Sequence, residues 1–297
     1  MKVIISVKGR FHGFNLAQEL YHRNALHKLI TTYPKFVAKR FDIPRDKIIS
    51  FLDLEVLARS YRRVKNDYWR VSNWFNNEFD KRVARKITQA DLFVGWSGSS
   101  FNSIRKAKNF NMTTILERGS SHILYQKEIL EEESALFGSS MEAVHPGVIE
   151  AELKEYEEAD YISIPSQYVR KTFIKHGISA DKLIQIPYGV NLEEFYPVQK
   201  EDNTFRFIHC GAITLRKGVQ YLLQAFTELN LPDAELWMVG PIDPKINNIL
   251  EQYDAENIIY HGSKPQNELK WFYSQCNIFC LASIEEGLAM VQAQAMA

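Results

Sequence analysis

The feature that most constrains this chain is a recurring pair. A short apolar run rich in Val, Ile and Phe is followed by a helix-like stretch, and the pair repeats along the whole length. In the first part the runs are VIISV (3–7), HKLITTY (27–33), DLFVGWS (91–97), TTILER (113–118) and ADYISIPS (159–166). After the polar stretch VQKEDNT (198–204) the series restarts with FRFIHCG (205–211), AELWMVG (234–240), NIIYHG (257–262) and NIFCLAS (277–283). Strands that are apolar throughout belong to parallel sheets covered on both faces by their crossover helices. The expected fold class is therefore α/β, with two doubly wound Rossmann-like domains facing a cleft. We place residues 1–200 in an N-terminal domain and 201–297 in a C-terminal domain. In such sheets ligands lie beyond the carboxyl ends of the strands, so residues just after each strand are the functional candidates.

Charge divides the chain unevenly although its formal sum is zero. Residues 1–120 carry 23 Lys and Arg against 10 Asp and Glu, whereas 201–297 carry 6 against 12. A basic front suggests an anionic partner. The most basic stretch, 59–87, places Tyr61, Val64, Tyr68, Val71, Phe75, Phe79 and Val83 three or four residues apart. That spacing predicts an amphipathic helix facing the core, and peripheral docking on an anionic membrane is the sharper alternative. The stretch lacks the character of an aromatic sheet platform, so no nucleic-acid partner is expected. Cys210, Cys276 and Cys280 form no metal-binding or disulfide pattern and read as reduced thiols. With no leader-like segment and no transmembrane run, the expected location is the cytoplasm, with peripheral contact at the inner membrane face as an option.

Two segments carry the donor chemistry. In CGAITLRKGVQYLLQAF (210–226) a strand ends at Gly211, and Arg216 and Lys217 precede Gly218 at a helix start. Two cations beside free backbone N–H groups suit a diphosphate. In SIEEGLAMVQAQAMA (283–297) the carboxylates Glu285 and Glu286 precede a helix expected to begin at Gly287. The amides of Leu288, Ala289 and Met290 would hold phosphate while Glu286 accepts hydroxyl hydrogens. Gln294, about 12 Å further along the helix, would reach the ribose. The plainer alternative is dipole compensation by the two glutamates. No Asp-x-Asp occurs, so no metal is expected.

On the acceptor side, VKGRFHGFNLAQEL (7–20) is a strand, a loop and a helix. Gly9 and Gly13 permit close backbone approach, and Arg10 and His12 are candidate contacts. ILERGSSHILYQ (115–126) places Glu117, Arg118 and His122 after another strand, and WSGSS (96–100) follows a third. Each of these has the plainer reading of an ordinary surface loop.

These segments resemble the retaining, nucleotide-sugar-dependent glycosyltransferases of family 4. The resemblance runs through 156–178, IPYGVNLEEFYP (186–197), 211–226, ELWMVGP (235–241), 258–283 and EEGLAMVQAQAMA (285–297). It implies the two-domain GT-B fold and transfer of a sugar with retention to a hydroxyl acceptor, such as a sugar or a lipid-linked acceptor. The setting it implies is polysaccharide, glycolipid or related synthesis. It implies that Lys217 neutralises the leaving diphosphate, that Glu286 touches the donor sugar, and that His122 is the active-site histidine. Gly240, Ser263 and Lys264 would flank the base. Gln294 stands where the family usually has a second glutamate, Gly287-Leu288-Ala289 where it has Gly-Phe-Gly, and Ala212 where it often has arginine. The family's second domain extends beyond this motif, so the chain is expected to be C-terminally truncated. Rival readings are a non-catalytic nucleotide-sugar binder on the same fold, or another GT-B enzyme such as an epimerase or a phosphorylase.

Overall fold

The computed structural model describes residues 1–65, 68–137, 144–253 and 255–297. The apolar runs form strands in two parallel sheets. The first contains β1 (Val3–Val7), β2 (Leu26–Thr31), β3 (Ile48–Ser50), β4 (Leu92–Trp96), β5 (Thr113–Glu117), β6 (Tyr161–Ile164) and β7 (Leu183–Gln185), in the order β3-β2-β1-β4-β5-β6-β7. The second contains β8 (Phe205–Cys210), β9 (Ala234–Val239), β10 (Ile258–Gly262) and β11 (Ile278–Phe279), in the order β10-β9-β8-β11. Both sheets grow outward from their first strand in two directions, the doubly wound Rossmann pattern that the strand–helix alternation predicts.

Apolar strands are required because each sheet is covered on both faces. Alternate residues of β1 enter different cores. Ile4 joins Phe79, Phe93, Leu116 and Ile162 in one layer, while Val3, Ile5 and Val7 pack with Phe14, Leu29 and Trp96 in the other. The second sheet repeats this division. Leu236 and Met238 face Val219, Leu223 and Phe226, whereas Ile208, Trp237 and Val239 pack on Phe272.

Helix ends follow the local chemistry. Ser166 Oγ accepts the Val169 N–H and caps Gln167–Lys175, and Gly177 at φ +86 closes it. The short strands β3 and β7 escape the sequence pattern because three residues give no periodicity. The strand expected over 277–283 shrinks to Ile278–Phe279. The basic stretch 59–87 divides into two helices, Leu52–Val64 and Tyr68–Ala84. Phe75, Phe79 and Val83 are buried, as the spacing predicts, while Val64 is exposed. Among the described residues no helix is long and apolar enough to cross a membrane.

The chain divides into two compact units, Met1–Leu124 with Val144–Ile186, and Tyr125–Ala143 with Pro187–Ala297. The sequence places the boundary at 200/201 instead. Residues 187–201 join the second unit through specific bonds. The Val198 N–H donates to Ser274 Oγ, the Glu201 N–H to Gln275 Oε1, and Gln266 Nε2 to Glu194.

Strands β8 and β9 end in backbone that approaches too closely for any side chain. Gly240 has φ +154, and a Cβ placed there would lie 1.8 Å from the Gly211 carbonyl oxygen. Replacing Gly240→Ala should therefore cost about 3 kcal/mol or more. Urea unfolding that shows a wild-type midpoint for this variant would contradict the close approach.

Candidate functional site

In the second unit the loops after β8, β9 and β11 meet at the carboxyl ends of the strands. The loops after β8 and β9 run side by side. The Ile213 N–H donates to the Pro241 carbonyl and the Asp243 N–H to the Ile213 carbonyl. Gly211 takes φ +142, a conformation side chains disfavour. Next comes a single 3₁₀ turn, Leu215–Lys217, ended by Gly218 at φ +64. A Cβ on Gly218 would lie 1.8 Å from the Ala282 carbonyl oxygen, so the turn presses directly on the loop after β11. The Ile284 N–H donates to the Arg216 carbonyl and fixes the same contact.

That contact sets two cations beside two carboxylates. Arg216 Nη1 donates to the Glu285 carbonyl at 2.9 Å and lies 3.4 Å from its Oε2. Lys217 Nζ is paired with Glu286 Oε2. Glu285 is wholly buried, and Gln126 Nε2 donates to its Oε2 at 3.1 Å. A buried carboxylate is tolerated only when it is paired and hydrogen-bonded, and Arg216 and Gln126 meet that requirement. Glu286 remains partly accessible beside Lys217. The pair therefore offers a cation for an anionic group and, next to it, an acceptor for hydroxyl hydrogens.

The other residues that the sequence singles out in the second unit differ in their situation. The final helix runs Met290–Met296, three residues later than the sequence predicts, so Gly287, Leu288 and Ala289 lie before it. The Arg216 clamp on the Glu285 backbone and the extended Ala289 account for the delay. Leu288, Ala289 and Met290 instead line a mostly apolar hollow of about 490 Å³ with Tyr188, Phe279 and Met296. Tyr273 Oη donates to Gln294 Oε1 at 3.3 Å. Gly240 sits against Gly211. Ser263 is exposed, and Lys264 Nζ lies 5.4 Å from the Phe272 ring centre, just past β10.

Sequence reasoning missed the support under this site. The helix Ile123–Phe137 supplies Gln126 to Glu285 and, two turns on, Glu133 to a second point. Glu133 accepts Gln220 Nε2 at 2.6 Å and Tyr221 Oη at 3.1 Å, on the helix that follows Lys217. Nothing in the acid-rich stretch 126–133 singles out these two residues, because their partners are 87 or more positions away.

In the first unit, Gly9 adopts φ +94 after β1 and is held by Thr31 and Thr32. Arg10 is exposed, 5.9 Å from the Phe41 ring centre. His12 packs on Trp96 and lies 3.5 Å from Glu117 Oε2. Gly13 starts its helix where a Cβ would fall 2.9 Å from Val7. The structure also brings in Lys8, which donates to Tyr68 Oη and Asn76 Oδ1. Burial, then the neighbouring Arg62, lowers its pKa to about 8. Its place just after β1 was the available signal.

The loop 96–100 is consumed internally, since the Gly98 and Ser100 N–H groups both donate to buried Glu155. Burial and then the nearby Glu152 raise the Glu155 pKa well above the usual carboxylate range. Arg118 is buried against Glu152 and the Ser121 carbonyl. His122 is 1% exposed and sits in the core. It stacks on His176 at 4.5 Å, and its Nδ1 accepts the Leu124 N–H. It therefore presents no free edge in this structure.

Among the described residues no group of three or more His, Cys, Asp and Glu is placed to hold a metal ion.

The family model Glycosyl transferases group 1 matches residues 191–297. This corrects the resemblance to family 4: the matching model is group 1, and the relation is not specifically to family 4. An uncharacterized 41.2 kDa protein in the cps region of Klebsiella pneumoniae is 25% identical over 151 residues, covering 46% of this chain and 41% of that protein. An uncharacterized glycosyltransferase of Methanocaldococcus jannaschii is 26% identical over 148 residues, covering 45% and 36%. The match thus spans about two fifths of the length of these curated relatives. Among solved structures, sucrose-phosphate synthase of Thermosynechococcus elongatus aligns with TM-score 0.65 at 17% identity, over 100% of this chain and 79% of that one. HepE of Anabaena, in complex with UDP and glucose, aligns with TM-score 0.67 at 12% identity, over 100% and 78%. These likenesses show the GT-B fold.

The burial of His122 has a measurable consequence. Desolvation, then His176 and Arg118, lowers its pKa to about 3 from 6.5. Between those values the unfolded chain binds the proton and the folded chain does not. The His122 contribution to stability is thus complete above pH 6.5 and is lost as the pH falls toward 3. Unfolding free energy measured across this window should fall less steeply for His122→Leu than for wild type. Parallel slopes would count against a neutral, buried imidazole.

Proposed function

We propose that the chain is a glycosyltransferase that moves a sugar from a nucleotide-diphosphate sugar to an acceptor hydroxyl in glycoconjugate synthesis. The observation that carries this reading is the Lys217–Glu286 pair at the carboxyl ends of the second sheet. A donor of this class joins an anion to a hydroxyl-bearing ring, and the pair offers one partner for each. The match of residues 191–297 to a glycosyltransferase model supports the reading. HepE has been solved with UDP-glucose, which makes UDP-sugars the first donors to test. Polysaccharide is the product class we propose first.

In this reading Lys217 and Arg216 stabilise the negative charge that develops on the departing diphosphate. Ligand phosphate competes with Glu286 for Lys217, freeing the carboxylate to accept hydrogen bonds from the sugar. Gly211 and Gly240 let the donor approach the backbone, and Gly287 to Met290, Ser263, Lys264 and Gln294 form the outer contacts. Gln294 would have to exchange its bond from Tyr273 for one from ribose. On the acceptor side Gly9, Arg10, His12 and Gly13 present a hydroxyl compound, such as a sugar or a lipid-linked acceptor. His122 enters the proposal only if its loop repacks. We propose retention of anomeric configuration, with charge neutralised by cations rather than through a metal bridge. The anomeric coupling constant of the product and activity in excess chelator test these two points.

Lys217→Ala should lower transfer from a UDP-sugar by roughly 10²–10³-fold with unchanged thermal unfolding. Wild-type turnover in that variant would exclude the assigned role. UDP binding by calorimetry without transfer or hydrolysis for any donor would favour a non-catalytic binder instead.

A further inference from the structure

The helices Leu52–Val64 and Tyr68–Ala84 bury one side each and leave a mixed outer face. Leu54 and Ala58 of the first, and Phe75, Phe79 and Val83 of the second, are in the core. On the outside stand Leu52, Val56, Leu57 and Val64, with Trp74 on the second helix, each 43–78% exposed. Single exposed apolar residues are ordinary, but five on one helix pair are not accounted for by folding. The two helices run past each other in a fixed register. Arg82 pairs with Asp53 at one end, and Tyr68 meets Tyr61 at the other. That register sets Leu57 near the level of Trp74.

The charges on the same pair are one-sided. The two helices carry six Lys and Arg against four Asp and Glu, and Lys65, Arg85 and Lys86 follow their ends. All four acids are already engaged. Asp53 and Glu78 pair with Arg82, Glu55 with Arg59, and Asp80 accepts the N–H groups of Asn102 and Ser103. What remains outward is positive, with Arg62, Arg63 and Lys65 clustered beside Val64. Aliphatic side chains interleaved with long cations match the headgroup region of a bilayer, where the cations meet lipid phosphate and the apolar groups enter the acyl boundary.

We infer that this helix pair docks the chain on the surface of an anionic lipid bilayer, with Val56, Leu57, Val64 and Trp74 as the apolar contacts and Arg62, Arg63 and Lys65 as the charged ones. The surface lies in the first unit and stands independently of the donor chemistry. It also relocates the membrane option of the sequence, because Leu52, Val56 and Leu57 precede the basic stretch. Docking is peripheral.

The test is flotation of the full chain with vesicles of phosphatidylcholine alone and of phosphatidylcholine mixed with phosphatidylglycerol. Binding to the mixed vesicles should be tighter on the order of a hundredfold, the sum over three surface cations, and should weaken as salt rises. The double variant R63E/K65E should remove most of that difference, and V56S/L57S should weaken binding at every salt concentration. Lys171→Glu, a charge change on the helix Gln167–Lys175, should alter neither. Circular dichroism melts confirm that the variants fold. Equal binding to both vesicle types, no binding to either, or full binding by R63E/K65E would overturn the inference. Loss of a dimer rather than of vesicle binding in V56S/L57S would do so too, by making a second copy the occupant.

Discussion

The second unit depends on backbone packed against backbone where no side chain fits. Gly240 lies on the Gly211 carbonyl and Gly218 on the Ala282 carbonyl, each 1.8 Å from where a Cβ would stand. These contacts bring three loops together at one end of a parallel sheet. With the loops so close, Arg216 reaches Glu285 and Lys217 reaches Glu286 across 69 residues of sequence. The arrangement of charge follows from the glycines, because a wider separation of the loops would leave Glu285 buried without its cation.

The two ion pairs are unequal. Glu285 is wholly enclosed and is held by Arg216 and Gln126, which makes it part of the framework. Glu286 is partly open, and its partner Lys217 can be shared with an incoming anion. Adjacent glutamates thus differ in solvent access, one enclosed and one open to an approaching group. Compensation of a helix dipole, the plainer alternative for both glutamates, does not describe either, since the helix begins only at Met290.

The legible part of the fold was the part governed by periodicity. Continuous apolar runs announced parallel strands, and Ser166 and Gly177 marked their helix because cap chemistry is local. What depends on distant partners was not legible. His122 stands after a strand, as a site residue should, yet Tyr156, Phe173 and His176 enclose it from helices far along the chain. The loop 96–100 likewise loses its free N–H groups to Glu155. The position of Arg216 and Lys217 just past a strand was legible, because the apolar run before them and Gly211 and Gly218 beside them leave a trace in the sequence itself. Gln126 and Lys8 left no such trace or a faint one.

The helix Ile123–Phe137 has a practical bearing on how the molecule can be divided. A piece started at residue 187 would contain every strand of the second sheet but neither Gln126 nor Glu133. Glu285 would lose the Gln126 bond, and Gln220 and Tyr221 would lose their common acceptor. The natural cut between halves is therefore not a single point in the gene: a self-sufficient second unit would have to carry a grafted copy of that helix.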